Sequence, residues 1–473
     1  MTRFLRRATA LSMAGLLAAC AGGQPPATSA APASAVAPAT RTQTTRGPIQ
    51  LSYETYELPN GLNVILSRDT TLPVVAVNLW YHVGSANEVP GRTGFAHLFE
   101  HMMFQGSANV GDDQHFARIQ EAGGTLNGST NPDRTNYYQA VPSNFLEMLL
   151  WLEADRMGFL LPAMTQEKLD NQRSVVQNER RQRYENAPYG LAFETMARAL
   201  YPAEHPYSWT TIGSMADLNA ASMEDVQSFF RTYYAPNNAS LSIVGDFDPA
   251  QAKQWVAKYF GPLPAGESIE RPQPGPVRLE AEQRLLLEDR VQLPRLYLAW
   301  HSPALFQQGD AEMDVLANVL AGGKNSRLHR RLVYEEQLAQ WVSASQFSRS
   351  LGGQFGITVQ ARPGVELTRI QRIVDEEVER LKNEPPTDRE VQRARNNIES
   401  GYVQGMQSVL GRADQLNSYY IYTGNPGYVD EDLARYQAVT PQSVQQAARQ
   451  YLTEGRVVLS VVPQGQTQLQ ATR

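Results

Sequence analysis

The chain has 473 residues, 42 of them basic and 48 acidic, and its formal charge of −6 argues against nucleic acid as a partner. Its hydrophobic content of 42% is that of an ordinary soluble protein, and no internal run approaches the roughly 20 apolar residues that a membrane-spanning helix needs. The length suffices for more than one domain, and the single cysteine excludes an internal disulfide.

Arg3, Arg6 and Arg7 precede a largely apolar run from Ala8 to Ala19, which ends at Leu17-Ala18-Ala19-Cys20. A basic start before a short apolar core is the pattern of an export signal, here residues 1–19. With small residues before Cys20 it resembles a bacterial lipoprotein signal, in which the cysteine becomes the lipidated first residue. A plain secretory signal cut elsewhere is the alternative. Ala21 after the cysteine resembles lipoproteins sent to the outer membrane, so the expected location is the bacterial cell envelope, lipid-anchored and facing the periplasm. Residues 20–48 are rich in Ala, Pro, Ser, Thr, Gly and Gln and predict a disordered tether.

The turn residues Leu58-Pro59-Asn60-Gly61-Leu62 separate Tyr53–Tyr56 from Asn63–Leu66 and predict a hairpin, followed by a strand at Val74–Tyr81. Gly94 to Phe104 reads as a helix. His97 and His101, four residues apart, project from one face with Glu100 on the flank, while Phe95, Leu98, Phe99, Met102 and Met103 supply apolar bulk. Two imidazoles one turn apart are zinc ligands by type, and an adjacent carboxylate is placed to take a proton from a metal-bound water. The order His-x-x-Glu-His is itself a metallopeptidase signature.

A helix over Gln114–Ala122, an extended Gly-rich run over 123–132 and a strand over Thr135–Val141 come next. Met164–Glu185 reads as helical throughout, with Leu169, Gln172, Val176 and Glu179 on one stripe. Glu179 is thus an acid on an inward face, whereas Glu167, Asp170 and Glu185 lie off it. His205 falls in a loop and is left out of the metal set. Asn237–Asp246 reads as a strand ending in a turn, and Pro249–Phe260 as a helix.

The run Gly91-Arg-Thr-Gly-Phe-Ala-His-Leu-Phe-Glu-His-Met-Met-Phe-Gln-Gly106, with Leu58–Ile65 before it, resembles the inverzincin peptidases of the M16 family, and the likeness extends from about Tyr53 to about Pro463. The resemblance implies an α+β fold of two homologous domains, each a mixed, mostly antiparallel sheet packed with helices. It implies one Zn2+ per chain, with His97, His101 and Glu179 as metal ligands, the last in the family's Val-Val-x-x-Glu context at Val175–Glu179. Glu100 is the implied catalytic base. The family's edge strand matches Gly124–Thr130, which points to Asn127, Gly128 and Ser129 for substrate contact. Gln172 stands where several members carry a glutamate beside the site, so an uncharged amide is the expected neighbour of the ligands here.

Pro and Gly mark a linker at 264–280 between a zinc-binding domain (49–263) and a second domain (281–465), with a tail at 466–473. In the second domain, Leu293–Trp300 resembles Leu72–Leu79, a helix at Asp310–Leu320 stands where the zinc helix stood, and Val457–Pro463 echoes the strand before Gly245, which suggests a duplication without the metal motif. Single-chain active relatives carry an arginine and a tyrosine in this half that reach the substrate. The matching positions hold Val333 and Gln340, while Arg330, Arg331 and Tyr334 are aimed elsewhere by helical spacing.

The function expected is a zinc-dependent metalloendopeptidase that hydrolyses peptides or unfolded polypeptides between two lobes, working with a second M16-like subunit, of the same or another sequence, that supplies the arginine and tyrosine. A non-catalytic scaffold subunit of an envelope complex is the alternative. A module holding zinc structurally fits less well, since such sites have four ligands and favour cysteine.

Overall fold

The computed structural model describes residues 40–472 apart from Arg46 and Pro48. The expected export signal, the lipidation position Cys20 and most of the tether lie outside the described residues. Arg41–Thr44, expected within the tether, is instead a strand, β1, paired antiparallel with β2 (Ser52–Glu57). Its side chains are all exposed, because backbone pairing on an open sheet edge does not require an apolar face.

The first sheet continues with β3 (Asn63–Arg68), β4 (Val74–Tyr81), β5 (Thr125–Thr130), β6 (Thr135–Pro142) and β7 (Ala239–Gly245), in the spatial order β1-β2-β3-β7-β4-β6-β5. The second holds β8 (Gln283–Asp289), β9 (Arg295–Ser302), β10 (Ala339–Arg349), β11 (Gly352–Ala361) and β12 (Val457–Pro463), in the order β10-β11-β9-β12-β8. Matching β3 to β8 and so on through β7 to β12 superimposes the two orders, and in both sheets the pairing of the last of these five strands with the first of them is the parallel one. The duplication read from the sequence is therefore present in the topology.

The helices α1 (Phe95–Met102), α2 (Gln114–Glu121), α3 (Leu146–Phe159), α4 (Gln166–Arg180), α5 (Ala192–Leu200), α6 (Met215–Ala220), α7 (Met223–Tyr233) and α8 (Pro249–Phe260) belong to the first half. The second contributes α9 (Asp310–Ala321), α10 (Leu367–Asn383), α11 (Asp388–Gly405), α12 (Val409–Thr423), α13 (Val429–Ala438) and α14 (Pro441–Tyr451). Strand alternation sorts β4 cleanly: Val75, Val77 and Leu79 enter the core beneath the first half's own helices, and Ala76 faces the other way.

That other face is covered from a distance along the chain. Ala413, Leu416 and Tyr419 of α12 pack on Ile65, Ala76 and Val244, while Ala192, Met196 and Leu200 of α5 pack on Tyr297, Ala299, Val457 and Leu459 of the second sheet. Each half thus lends a helix to the other's sheet, so two lobes joined by a linker alone is not the arrangement found. Residues 264–279 form neither helix nor strand, and Arg271 within them donates to the carbonyl of His82 and to Asn238. No helix among the described residues is long and apolar enough to cross a membrane.

The α12 interface is polar at its centre. Asn78 Nδ2, Trp80 Nε1 and Asn136 Nδ2 all donate to Asp414 Oδ1 at 3.0–3.1 Å. Removing that acceptor leaves Asn78 Nδ2 and Trp80 Nε1 unpaired, while Asn136 keeps its bond to Asn78 Oδ1, so Asp414→Ala is expected to cost about 2–4 kcal/mol in urea unfolding and Asp414→Asn less. A second expectation concerns pH. At the start of α11, burial works to raise the Glu390 carboxyl, but Arg327 donates to it at 2.7 and 3.0 Å and Thr387 adds its N–H, and together they hold it at about 2. A lowered value means that the stabilisation is complete above the ordinary glutamate range near 4.5 and is lost as pH falls through about 2. Glu390→Gln is expected to cost about 2 kcal/mol at pH 7, with the gap from the parent protein closing between those two pH values.

Candidate metal centre

The helix that carries the two histidines is only eight residues long, and its start is tightly held. Gly94 precedes it at φ 87°, where a Cβ would meet the Ile212 carbonyl at 2.7 Å, so the position demands glycine. The buried carboxylate of Glu88 accepts the N–H groups of Gly94 and Ala96 at 3.0 and 2.8 Å, filling donors that an α-helix leaves unpaired. Phe95, Leu98, Phe99 and Met102 are buried, which turns His97 and His101 toward α4.

On α4, Thr165 caps the first turn, and Leu169, Gln172 and Val176 are buried as the stripe requires. Glu179 closes the stripe with Oε2 3.7 Å from His97 Nε2 and 3.4 Å from His101 Nε2. These three residues are the one group of potential metal ligands among the described residues. Ligands about 2.0–2.1 Å from a tetrahedral ion stand about 3.3–3.4 Å apart, so this donor set fits zinc. The expected helix over 164–185 is α-helical only to Arg180. It ends in a wider π turn, Arg181–Glu185.

The electrostatics suit ligation. Burial, then the neighbouring His101, lowers His97 to about 4, which keeps it in the neutral form that binds metals. Hydrogen bonding with His101, against an opposing effect of burial, holds Glu179 below the usual carboxylate range. Glu100 goes the other way: burial raises its proton affinity, although the Thr130 hydroxyl donates to its Oε2 at 2.6 Å and favours the charged form. One carboxylate is thus fitted to hold a cation and its neighbour to accept a proton.

Three residues enter that the sequence did not single out. Arg183 Nη1 reaches Glu179 Oε1 at 2.7 Å, leaving Oε2 for the histidines; its i,i+4 spacing was the available signal. Thr130 supplies the hydroxyl on Glu100. Arg134 lies over the Trp80 ring at 5.0 Å and favours the charged form of Glu100. Gln172 is buried, and its amide donates to Asn171 at 3.3 Å. His205 accepts the Tyr207 N–H and stacks on Tyr201, outside the metal group.

The strand beside the site, β5, is a sheet edge paired on one side by β6. Asn131 donates to the Arg134 carbonyl across the turn, and alternation from that pair directs the backbone groups of Leu126, Gly128 and Thr130 toward the open edge. Gly128 is close enough that an added Cβ would meet Glu100 Oε1 at 3.0 Å. Its N–H is taken by the side chain of Asn127 at 2.9 Å. Ser129 is directed inward instead. Its hydroxyl donates to Asn136 at 2.7 Å, and Arg134 donates to its carbonyl at 2.8 Å.

In the second half, Val333 packs on the core and Gln340 is exposed on β10. Arg331 pairs with Glu376 and Glu377, Arg330 with Glu335, and Tyr334 packs against His329.

Residues 63–208 match the family described as insulinase (peptidase family M16), and residues 220–398 the peptidase M16 inactive domain. The zinc protease PqqE of Helicobacter pylori is 28% identical over 382 residues, spanning 80% of this chain and 85% of that protein. An uncharacterized zinc protease of Bacillus subtilis, YmxG, is 23% identical and spans 87% of this chain and 98% of its own length. A crystal structure of a protease from Helicobacter pylori aligns with TM-score 0.80 and 26% identity over 87% of this chain and 99% of that one. The match to the inactive domain begins within the first half, at 220, and covers much of the half that lacks the His-Glu-His set.

Purified protein is expected to bind one divalent ion per chain by elemental analysis, and His97→Ala or Glu179→Gln to abolish it. Chelation should lower the melting temperature of the parent protein and leave those variants unmoved.

Proposed function

The chain belongs to the M16 peptidase family, and from that premise we propose that it is a zinc-dependent endopeptidase acting on peptides or unfolded polypeptides. The observation that carries the proposal is the convergence of His97, His101 and Glu179 from two helices, with Glu100 adjoining them. His97, His101 and Glu179 would hold the ion. Bound there, zinc supplies an acidified water and an electrophile for the scissile carbonyl. Glu100 takes the proton from the attacking water, for which burial has raised its affinity, and returns it to the leaving amine. An extended substrate adds to the open edge of β5, where Gly128 offers its backbone groups once the Asn127 amide moves off.

The chemistry remains incomplete in one chain. Val333 and Gln340 give the second half no cation or phenol at the positions discussed, and the nearby Arg331 is committed to Glu376 and Glu377. A second M16-like subunit supplying an arginine and a tyrosine would complete the site, since stabilising the developing oxyanion is a large part of catalysis. A scaffold role has no physical need for a complete ligand set and an adjacent base. We further place the protein in the bacterial envelope, lipidated at Cys20, on the strength of the N-terminal pattern.

Glu100→Gln is expected to lower peptide hydrolysis by about 10²–10⁴-fold while zinc content stays at one per chain. Loss of the metal in that variant, or undiminished turnover, would refute the assigned role. The isolated chain should cleave a quenched peptide library slowly and an M16-like partner should accelerate it; brisk cleavage by the monomer counts against the shared site.

A further inference from the structure

Behind Glu100 lies a set of buried polar side chains that the proposed reaction does not use. Alternation along β6 turns Thr135, Tyr137 and Gln139 to the inner face of the sheet. Tyr81 of β4, Glu153 and Arg156 of α3, His115 of α2 and Tyr234 after α7 meet them there, and none of the eight is more than 3% exposed. Some of their polar atoms are paired: Arg156 Nε donates to Glu153 Oε2 at 2.9 Å, and Arg156 Nη2 and Gln139 Nε2 both donate to Glu153 Oε1. The hydroxyls of Tyr81, Tyr137 and Tyr234, Gln139 Oε1, Arg156 Nη1 and His115 Nε2 make no hydrogen bond of ordinary geometry within the protein.

The side chains that carry these atoms are neighbours. The Arg156 guanidinium sits 4.1 Å from the centre of the Tyr137 ring, and the Tyr81 ring is 4.5 Å from that of Tyr234 and 6.0 Å from that of Tyr137. His115 Nε2 is 3.8 Å from Glu153 Oε1. A fold does not leave so many buried polar atoms unmatched in one place, and phenylalanine would fill the same volume without the cost. Buried water makes about three hydrogen bonds, so about two molecules would satisfy the set.

This cluster connects to the base. The Tyr234 hydroxyl faces those of Tyr137 and Thr135. Thr135 Oγ1, which also donates to the Val83 carbonyl at 2.9 Å, lies 3.3 Å from Thr130 Oγ1, and Thr130 donates to Glu100 Oε2 at 2.6 Å. We propose that Tyr137, Tyr234 and Arg156 hold ordered water that fixes the Glu100 carboxylate through the Thr135 and Thr130 hydroxyls, making them positioning residues for the proteolysis proposed above, on which this inference rests.

The test uses the zinc-loaded full chain, with whichever partner supports turnover of a quenched peptide. Tyr137→Phe with Tyr234→Phe is expected to lower kcat by about 10- to 100-fold while KM and zinc affinity hold and melting temperature changes little, because both rings keep their packing. Arg156→Lys should retain part of the rate. Tyr56→Phe, which removes an unpartnered buried hydroxyl on the remote strand β2, should leave kcat unchanged. An unchanged kcat in the double variant overturns the proposal, as does a loss that merely follows melting temperature or zinc affinity. Turnover by the parent protein tests the peptidase reading separately. A high-resolution crystal structure tests the water directly, whatever the activity: ordered water between the two tyrosines supports the proposal, and a dry cavity overturns it.

Discussion

The site depends on one packing contact, that of α1 against α4. Burial makes a charged imidazole costly, so His97 is held neutral, while Glu179 keeps its charge through His101 and Arg183. The contact brings both imidazoles within 3.4–3.7 Å of the carboxylate, the spacing a shared cation needs. Everything upstream serves that contact: the glycine that starts α1, the Glu88 carboxylate on its first N–H groups, and the apolar side chains that point the histidines outward from their own core.

Around that contact the carboxylates divide their work by environment. Glu179 keeps its charge through hydrogen bonding and through Arg183 on its second oxygen. Glu100, more deeply enclosed, leans toward the proton. Glu88 is spent on backbone. Three acids within one small region therefore carry three roles, and residue type alone does not distinguish them.

The duplication explains why a half without the His-Glu-His set is retained. Both sheets have one face covered by their own helices and the other by a helix from the opposite half, α12 on the first and α5 on the second. Removing the second half would strip α12 from β4 and β7 and expose Ile65, Ala76 and Val244 along with the donors that Asp414 satisfies. Its first service is thus to stability. Through Asp414 on Asn136, and Asn136 on Ser129, it also bears on the edge strand beside the site.

Much of this was legible in the residues themselves. The strand at Val74–Tyr81, the helix at Pro249–Phe260 and the strand at Val457–Pro463 have the ends that periodicity and turn residues assign. The grouping of His97, His101 and Glu179 was expected from helical spacing and family likeness, because potential ligands carried on two helices leave a periodic trace. Three things were not legible. The strand at Arg41–Thr44 has no apolar face to announce it. The exchange of α5 and α12 leaves no local mark, since an amphipathic helix records that it is buried and not against which sheet. The direction of each β5 residue rests on a pairing register fixed by the turn to β6, which sends Gly128 to the open edge and Ser129 inward. Local sequence determines what each element is and which face it buries; partners distant along the chain are chosen by the packing of the whole, and only the tertiary structure decides them.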